Sequence, residues 1–193
     1  MTRIDLGAPS RPADTARLTF RSWRIEDEDL ALSLWGDPSV TALTSARGTL
    51  THDEVRERLA LELQLERDHG IQYWPTFLRA TGELAGCCGL RPYDLARSFL
   101  ELGFHLRSAH WGQGLATEAA RSAIEHAFTH RAASALFAGH HPKNRSSRRA
   151  LEKLGFRYTH DEHYPPTGLE HPSYLLTRVQ SVWNTTGRPA DSD

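Results

Sequence analysis

The sequence predicts one α/β domain in which strands and helices follow one another along the chain. Its 193 residues, 39% of them hydrophobic, suffice for a single substantial core. Alternation of apolar and polar residues with period two marks strands, most clearly at residues 17–23 and 99–106. Helical periodicity behind acidic or capping residues marks helices between the strands. Mixed elements of this kind build a domain of two or three layers, of the α/β (α+β) class.

The first predicted strand, at residues 17–23, leads into two helices. The earlier helix begins at the acidic run 26–29, where negative charge favours the helix dipole, and Gly36-Asp37-Pro38 ends it. The later helix begins at Thr51, which forms a capping-box pattern with Glu54, and ends before Gly70. The inward positions expected on that later helix are Val55, Leu59 and Leu63, with Leu61 or Leu65 as a further candidate.

A hairpin comes next, followed by further alternation of strands and helices. Its strands at residues 71–79 and 84–90 flank the turn 80–83, and Pro75 in the first strand indicates an edge or bulge position. The remaining predicted elements are a strand at 99–106, a helix from about 114 to 130, a strand at 135–139, a helix at 144–154, and strands at 156–159 and 173–179.

Composition limits the extent of the domain and the classes of partner that the protein can have. Residues 1–16 and 183–193 predict flexible arms, which leaves one domain over residues 17–182. With 23 basic and 24 acidic side chains, the formal charge of −1 argues against a general nucleic-acid-binding surface. Neither a secretory leader nor a membrane-spanning run is visible, so we expect a cytoplasmic protein with no membrane partner. The adjacent Cys87 and Cys88 are poorly placed for a structural disulfide and are expected to be buried on opposite faces of a strand.

A glycine-containing loop joins the strand 99–106 to the next helix and predicts an anion site. Free N–H groups in the first turn of a helix, together with the helix dipole, favour a phosphate, and Gly112 and Gly114 allow close approach of the backbone. A Walker P-loop is absent, and Thr117 stands where a Rossmann fingerprint needs its third glycine. Alone, the loop would fit a plain strand-to-helix turn equally well.

Three segments together resemble the GNAT superfamily of N-acyltransferases, particularly its RimJ/RimL-type branch. They read ELGFHL at 101–106, WGQGLATEA at 111–119, and NRSS at 144–147 followed by EKLGF at 152–156. The resemblance extends over most of residues 17–180. It implies the GNAT fold, a central mixed and mostly antiparallel sheet that splays at the cofactor site, flanked by about four helices. It also implies transfer of an acetyl group from acetyl-CoA to an amine.

The same resemblance assigns the cofactor site. Main-chain groups of Phe104 and Leu106 would pair with the pantetheine arm of acetyl-CoA, Asn144 would hydrogen-bond that arm, and Ser147 would face the same channel. Trp111 replaces the Gln or Arg that opens the family's pyrophosphate loop, a replacement common in the RimJ/RimL-type branch. The residues expected to hold the pyrophosphate are Trp111, Gly112, Gln113, Gly114, Leu115, Ala116 and Thr117.

The sequence identifies the acid–base residues less clearly than the cofactor-binding residues. Glu101 is the candidate general base because it is ionisable and lies on the strand beside the expected thioester, although a strand glutamate is also commonly a solvated or ion-paired group. His105 lies on the same face of the strand as Glu101, and a lone histidine on a strand is more often structural than catalytic. Leu151 occupies the position where the family often has a tyrosine acid, which leaves Ser147, Tyr158 or water for that role. The scattered histidines lack metal-ligand spacing, so no metal is expected.

The missing acid favours an α-amino acceptor. Neutralising a lysine side chain at pH 7 costs roughly 4.6 kcal/mol, against roughly 1.1 kcal/mol for a terminal amine. We therefore expect a protein N-terminus as acceptor, with a small-molecule or antibiotic amine, or a non-catalytic acyl-CoA-binding module, as alternatives. Trp35, Tyr73 and Trp74 are expected on the acceptor side, as either core or pocket lining. The sequence allows a monomer or a homodimer.

Overall fold

The computed structural model describes residues 10–178. The predicted C-terminal arm at 183–193 and the first nine residues of the predicted N-terminal arm lie outside the described residues. Residues 10–16 belong to the same predicted arm and run along the helix Leu115–His130. Ser122 Oγ of that helix donates to the carbonyl of Ala13 at 2.6 Å, and Thr15 Oγ1 donates to Glu118 at 2.6 Å.

The described residues contain one sheet of seven strands, in the order β1-β2-β3-β4-β5-β7-β6. Only β4 and β5 pair in parallel, and every other pair of neighbours is antiparallel. The expected mixed, mostly antiparallel sheet is thereby confirmed. The strands are β1 (Leu18–Phe20), β2 (Tyr73–Leu78), β3 (Leu84–Asp94), β4 (Phe99–Leu106), β5 (Ala135–Gly139), β6 (Arg157–Tyr164) and β7 (Leu169–Thr177).

Five α-helices flank the sheet in the described residues, where about four were predicted. They are α1 (Glu28–Trp35), α2 (Pro38–Thr41), α3 (His52–His69), α4 (Leu115–His130) and α5 (Arg145–Lys153). The additional helix is α2, which begins where Gly36-Asp37-Pro38 was predicted only to end a helix. Asp37 accepts a hydrogen bond from the Ser39 N–H at 2.8 Å, and Pro38 occupies the first helical position, where its missing N–H costs nothing.

Helix α3 confirms its predicted ends and the three main positions of its predicted inward face. Thr51 and Glu54 form the capping box reciprocally, and Gly70 ends the helix in the left-handed conformation with a φ of 66°. Val55 and Leu59 are buried as predicted. Leu63 is partly buried against the same apolar residues, as predicted, whereas Leu61 is exposed. The buried position that was not predicted is Glu62, whose carboxylate forms an ion pair with the partly buried Arg91 of the sheet.

Two apolar clusters pack on opposite faces of the sheet. The larger includes the inner faces of α4 and α5, and the smaller includes those of α1 and α3. The two cysteines divide between them: Cys88 belongs to the larger cluster and Cys87 to the smaller, and both thiols are free and buried. The predicted burial of these residues on opposite faces is confirmed.

Strands β4 and β5 separate towards one end, and this separation creates the site. They pair only from Phe99–Ala135 to Glu101–Phe137, although β4 continues to Leu106 and β5 to Gly139. Beyond Glu101 the β4 backbone therefore has no strand partner on its β5 side. The splay implied by the sequence is present.

Two further details concern the other strands. Pro75 lies beyond the end of β1, which pairs only with Thr76–Leu78, and the register of β2 shifts between Thr76 and Phe77, so the prediction of an edge or bulge position is confirmed. The β6–β7 hairpin is longer than predicted and leaves a turn only at residues 165–168. Between residues 10 and 178, none of the helices combines the length and apolar character required to cross a membrane.

Candidate active site

A cavity of about 900 Å³ opens where β4 and β5 separate. One side of it, which we call the α2–α3 wall, consists of Ser39, Val40, Leu43, Thr44 and Arg58. Every candidate site residue lines the cavity except Gln113. Those that line it are Glu101, Phe104, Leu106, Trp111, Gly112, Gly114, Leu115, Ala116, Thr117, Asn144 and Ser147.

The loop before α4 leaves the start of that helix open to the cavity. Gly112 and Gly114 have φ values of 73° and 78°, which other residues rarely adopt. Gly114 is the N-cap and offers no side-chain cap, so N–H groups of the first turn remain free to bind an anion. A Cβ added at Gly112 would meet no atom within 4 Å, which leaves open space beside the backbone. Gln113 instead holds the loop from outside, where its carbonyl accepts from Arg17 Nη1 at 2.9 Å.

Trp111 stabilises the junction between β4 and this loop. Its indole Nε1 donates to the carbonyl of Leu106 at 2.8 Å, while the ring remains half exposed. One lone pair of the Leu106 carbonyl is therefore already in use. At Phe104, by contrast, the unpaired side of the β4 backbone lies open to the cavity.

The start of α5 lies across the cavity from this loop. Asn144 Oδ1 caps the helix by accepting from the Ser147 N–H at 3.0 Å. Leu151 also lines the cavity, whereas Tyr158 does not and donates to Asp161 at the surface. Four cations on and beside α5 line the cavity and form no ion pair within the described part of the chain: Lys143, Arg145, Arg149 and Lys153. Arg148, by contrast, forms an ion pair with Glu152 one turn along α5, at 2.8 Å.

Glu101 lies at the point where β4 and β5 part, and its carboxylate accepts a hydrogen bond from the Tyr73 hydroxyl. Burial raises the pKa of Glu101 above its usual value, and the positive charge of Arg91 and the Tyr73 hydrogen bond offset part of that rise. Gly103 makes room for the hydroxyl, because a Cβ there would lie 2.1 Å from Tyr73 Oη. A raised pKa and a fixed orientation are the properties expected of a general base.

A buried ion pair holds Tyr73 from behind. Glu62 is fully buried, forms an ion pair with Arg91, and accepts the Tyr73 N–H at 2.8 Å. The guanidinium carbon of Arg91 lies 4.2 Å from the centre of the Tyr73 ring. The tyrosine is therefore fixed by its backbone, its ring face and its hydroxyl.

His105 lines the cavity as a neutral ring. Burial lowers its pKa well below the usual value, and the charges of Arg58 and Arg91 lower it further. Its Nδ1 accepts from the Trp35 indole Nε1 at 3.3 Å, which fixes the ring. Burial likewise raises the pKa of the Cys87 thiol to about 12, so this neighbour is not a nucleophile at neutral pH.

The sequence did not identify the groups around Glu101. Tyr73 was expected as core or pocket lining, and Glu62, Arg91 and Arg58 were not singled out. One pattern could have pointed to Glu62, because this charged residue lies on the otherwise apolar inward face of α3.

Within residues 10–178, His, Cys, Asp and Glu nowhere form a group of three or more that could hold a metal ion.

The chain is similar to known proteins over most of its length. A family model described as "Acetyltransferase (GNAT) domain" matches residues 17–157. The "Uncharacterized protein YkkB" of Bacillus subtilis (strain 168) is 32% identical over 149 residues, which cover 75% of this chain and 84% of that protein. The "Uncharacterized N-acetyltransferase p20" of Bacillus licheniformis is 29% identical over 143 residues, 74% of this chain and 80% of that protein. Mycobacterium smegmatis RimJ in complex with CoA-disulfide has the same fold, with a TM-score of 0.70 at 20% identity over 89% of this chain and 90% of that one.

Proposed function

The chain belongs to the GNAT acetyltransferase family, and from this premise we propose that it transfers an acetyl group from acetyl-CoA to a protein N-terminal α-amino group. One observation carries the proposal. A single cavity connects the uncapped start of α4 with the carboxylate of Glu101. The cavity thus joins a site for the phosphates of the donor to a group that can take a proton from the acceptor.

The donor end of the cavity fits acetyl-CoA. GNAT-fold acetyltransferases use acetyl-CoA, which supplies the activated acetyl group as a thioester. In this chain the backbone of Gly112 and Gly114 would bind the pyrophosphate, and the unpaired cations of α5 would face the remaining phosphate charge. The open β4 backbone at Phe104 would pair with the pantetheine arm, which Asn144 and Ser147 would border.

Glu101 would handle the proton of the acceptor. An ammonium group cannot attack a thioester, so a base must hold the amine in its neutral form. The carboxylate of Glu101 can accept that proton directly or through one water, and its raised pKa brings it closer to neutral pH than an ordinary glutamate. Tyr73 positions the carboxylate, as its hydroxyl holds one oxygen.

The choice of an α-amine rests on the scarcity of acid–base groups. Leu151 is a buried apolar residue in the cavity wall, at the position expected for the acid. An α-amine needs less help than a lysine to become neutral at pH 7. We include in the proposal the RimJ/RimL-type branch, which Trp111 in the loop and the shared fold of RimJ support.

The donor half of the proposal is tested by thermal shift with acetyl-CoA, NAD and ATP in parallel. At about 100 times its Kd, a ligand that binds only the folded chain stabilises it by about 2.7 kcal/mol, which raises the Tm by roughly 5–10 °C for a domain of this size. We expect that rise with acetyl-CoA only. An equal rise with NAD would overturn the assignment of the cavity to acetyl-CoA.

The acceptor half is tested by release of CoA thiol with three classes of amine: peptides with a free N-terminus, the same peptides with a blocked N-terminus and an internal lysine, and aminoglycoside-type small amines. Mass spectrometry then locates the acetyl group. Turnover confined to the free N-terminus is expected. Equal turnover of the internal lysine, or turnover of the small amine alone, would contradict the proposed acceptor.

A further inference from the structure

Arg58 on α3 is an arginine of the cavity wall without a carboxylate partner in the described part of the chain. Its guanidinium carbon lies 5.0 Å from the centre of the Trp35 ring, and its Nε is shielded from solvent without a hydrogen-bond partner. It forms no ion pair with any carboxylate among residues 10–178. Neighbouring arginines differ in this respect, since Arg91 pairs with Glu62 and Arg56 pairs with Glu28.

The position of Arg58 separates it from the cations expected to meet CoA. Those lie on and beside α5, whereas Arg58 belongs to the α2–α3 wall with Ser39 and Val40. Its charge reaches the catalytic carboxylate, as it lowers the pKa of Glu101 and of His105. Arg58 is therefore at the end of the cavity where the amine would approach Glu101.

A fixed guanidinium at this place affects which amines can bind. It repels the positive charge of an incoming ammonium, and a cation held partly out of water is costly to leave without a counter-charge. The planar fork of arginine matches a carboxylate with two parallel hydrogen bonds. An acceptor that carries a carboxylate close to its amine would satisfy Arg58 and Glu101 together.

We propose that Arg58 is a specificity-determining residue that binds a carboxylate of the acceptor, close to the amine that is acetylated. The proposal rests on the proposed function and narrows its acceptor class. For a protein N-terminus, the carboxylate is the side chain of an acidic first residue. The α-carboxylate of a free amino acid offers the same chemistry, and the experiment separates the two sources.

The test uses acceptor pairs that differ only in carboxylate against amide. The pairs are peptides that begin with Asp or Asn, peptides that begin with Glu or Gln, and glycine against glycinamide. For each pair kcat/KM is measured for the unmodified protein, for Arg58→Gln and for Arg58→Lys. The ratio within a pair, compared between variants, cancels differences in the basicity of the two amines.

We expect kcat/KM of the unmodified protein to be at least about tenfold higher for the acidic peptide than for its amide counterpart, equivalent to about 1.4 kcal/mol. Arg58→Gln should bring that ratio close to one, mainly through a higher KM for the acidic peptide. A change in the basicity of Glu101 affects both peptides of a pair and cancels in the ratio. Arg58→Lys should keep part of the preference, because the positive charge remains without the bidentate geometry. A preference seen only in the glycine pair would assign the carboxylate to a free amino acid and overturn the acidic-peptide source.

Unchanged ratios in Arg58→Gln, or a ratio near one in the unmodified protein, would overturn the role of Arg58 and leave the proposed function standing. Absence of turnover with every amine would instead overturn the proposed function, and this inference with it. Stabilisation by acetyl-CoA is measured for each variant as a check on folding. If Arg58→Gln fails that check, the ratio in the unmodified protein and in Arg58→Lys decides.

Discussion

The chemistry of Glu101 is set by residues that are distant in sequence and adjacent in space. Tyr73 comes from β2 and Arg91 from β3, while Glu62 comes from α3. Their convergence depends on the strand order, which puts β3 between β2 and β4, and on α3, which packs on the face of the sheet that carries Tyr73. Glu101 could be found from the sequence because it belongs to a contiguous motif. Tyr73 could not be assigned a role, because its partners are revealed only by the sheet.

The hydrogen bond between Tyr73 and Glu101 gives a prediction for pH dependence. The hydroxyl stabilises the ionised carboxylate and so lowers its pKa, against the larger opposing effect of burial. In Tyr73→Phe the pKa of Glu101 should therefore rise. A base acts when it is deprotonated, so the rising limb of kcat/KM against pH should move to higher pH, with the plateau at high pH largely kept.

The pH profile of Tyr158→Phe is the matched control. That tyrosine is exposed, does not line the cavity, and loses only a hydrogen bond to Asp161. Its profile should coincide with that of the unmodified protein. A profile of Tyr73→Phe that coincides as well would show that Tyr73 does not tune the base.

At the scale of elements, the start of α4 does most to define the proposed donor site. Its strand, loop and helix are local in sequence, so their pattern predicted them within one or two residues. Elements with a weaker local signal were missed, as α2 was, or predicted too short, as β6 was. Helix α2 has only four residues, and every residue of β6 is exposed, so no apolar alternation marks that strand.

Gly112→Ala and Gly82→Ala test the glycine loop as a pair. Both glycines have φ close to 72°, at 73° and 72°, and both face open space, but only Gly112 lines the cavity. Each variant should lose stability of order 1 kcal/mol from backbone strain alone. Gly112→Ala should in addition weaken acetyl-CoA binding at least about tenfold by calorimetry.

Gly82→Ala should bind acetyl-CoA as the unmodified protein does, because Gly82, in the turn between β2 and β3, does not line the cavity. Equal affinities for both variants would mean that the backbone at Gly112 does not approach the cofactor.

For the whole molecule, the sheet divides the interior into two cores and its splay opens the cavity between β4 and β5. The resemblance stated from three motifs predicted this architecture correctly, because those motifs surround the splay. Polar groups inside the cores escaped prediction. His126 on α4 is one: it is buried, lies edge-on to Trp74, and its Nε2 accepts from Arg131 Nε at 3.0 Å.

The burial of His126 predicts a loss of stability in mild acid. Burial and the charge of Arg131 lower the pKa of His126 to about 4, below the ordinary value of 6.5 that applies in the unfolded chain. The unfolded state thus takes up a proton first, so stability is complete above pH 6.5 and falls as the pH drops towards 4. Urea unfolding of the unmodified protein should show this fall between pH 7 and pH 5.

His126→Gln should reduce that fall, because the amide oxygen can accept from Arg131 without titrating. It should not abolish it, since the pKa values of His105 and His171 are also lowered by burial. An equally steep fall in the variant would assign the acid sensitivity to other groups.

The role of Glu101 as the base is tested by turnover and acetyl-CoA binding of Glu101→Gln, measured on one preparation. Glutamine keeps the shape of the side chain but cannot accept a proton from the amine. We expect that acetyl-CoA still raises the Tm as in the unmodified protein, while kcat with an N-terminal peptide falls by about 10²–10⁴-fold. Turnover within about threefold of the unmodified protein, with acetyl-CoA still bound, would contradict the account of Glu101 as the base.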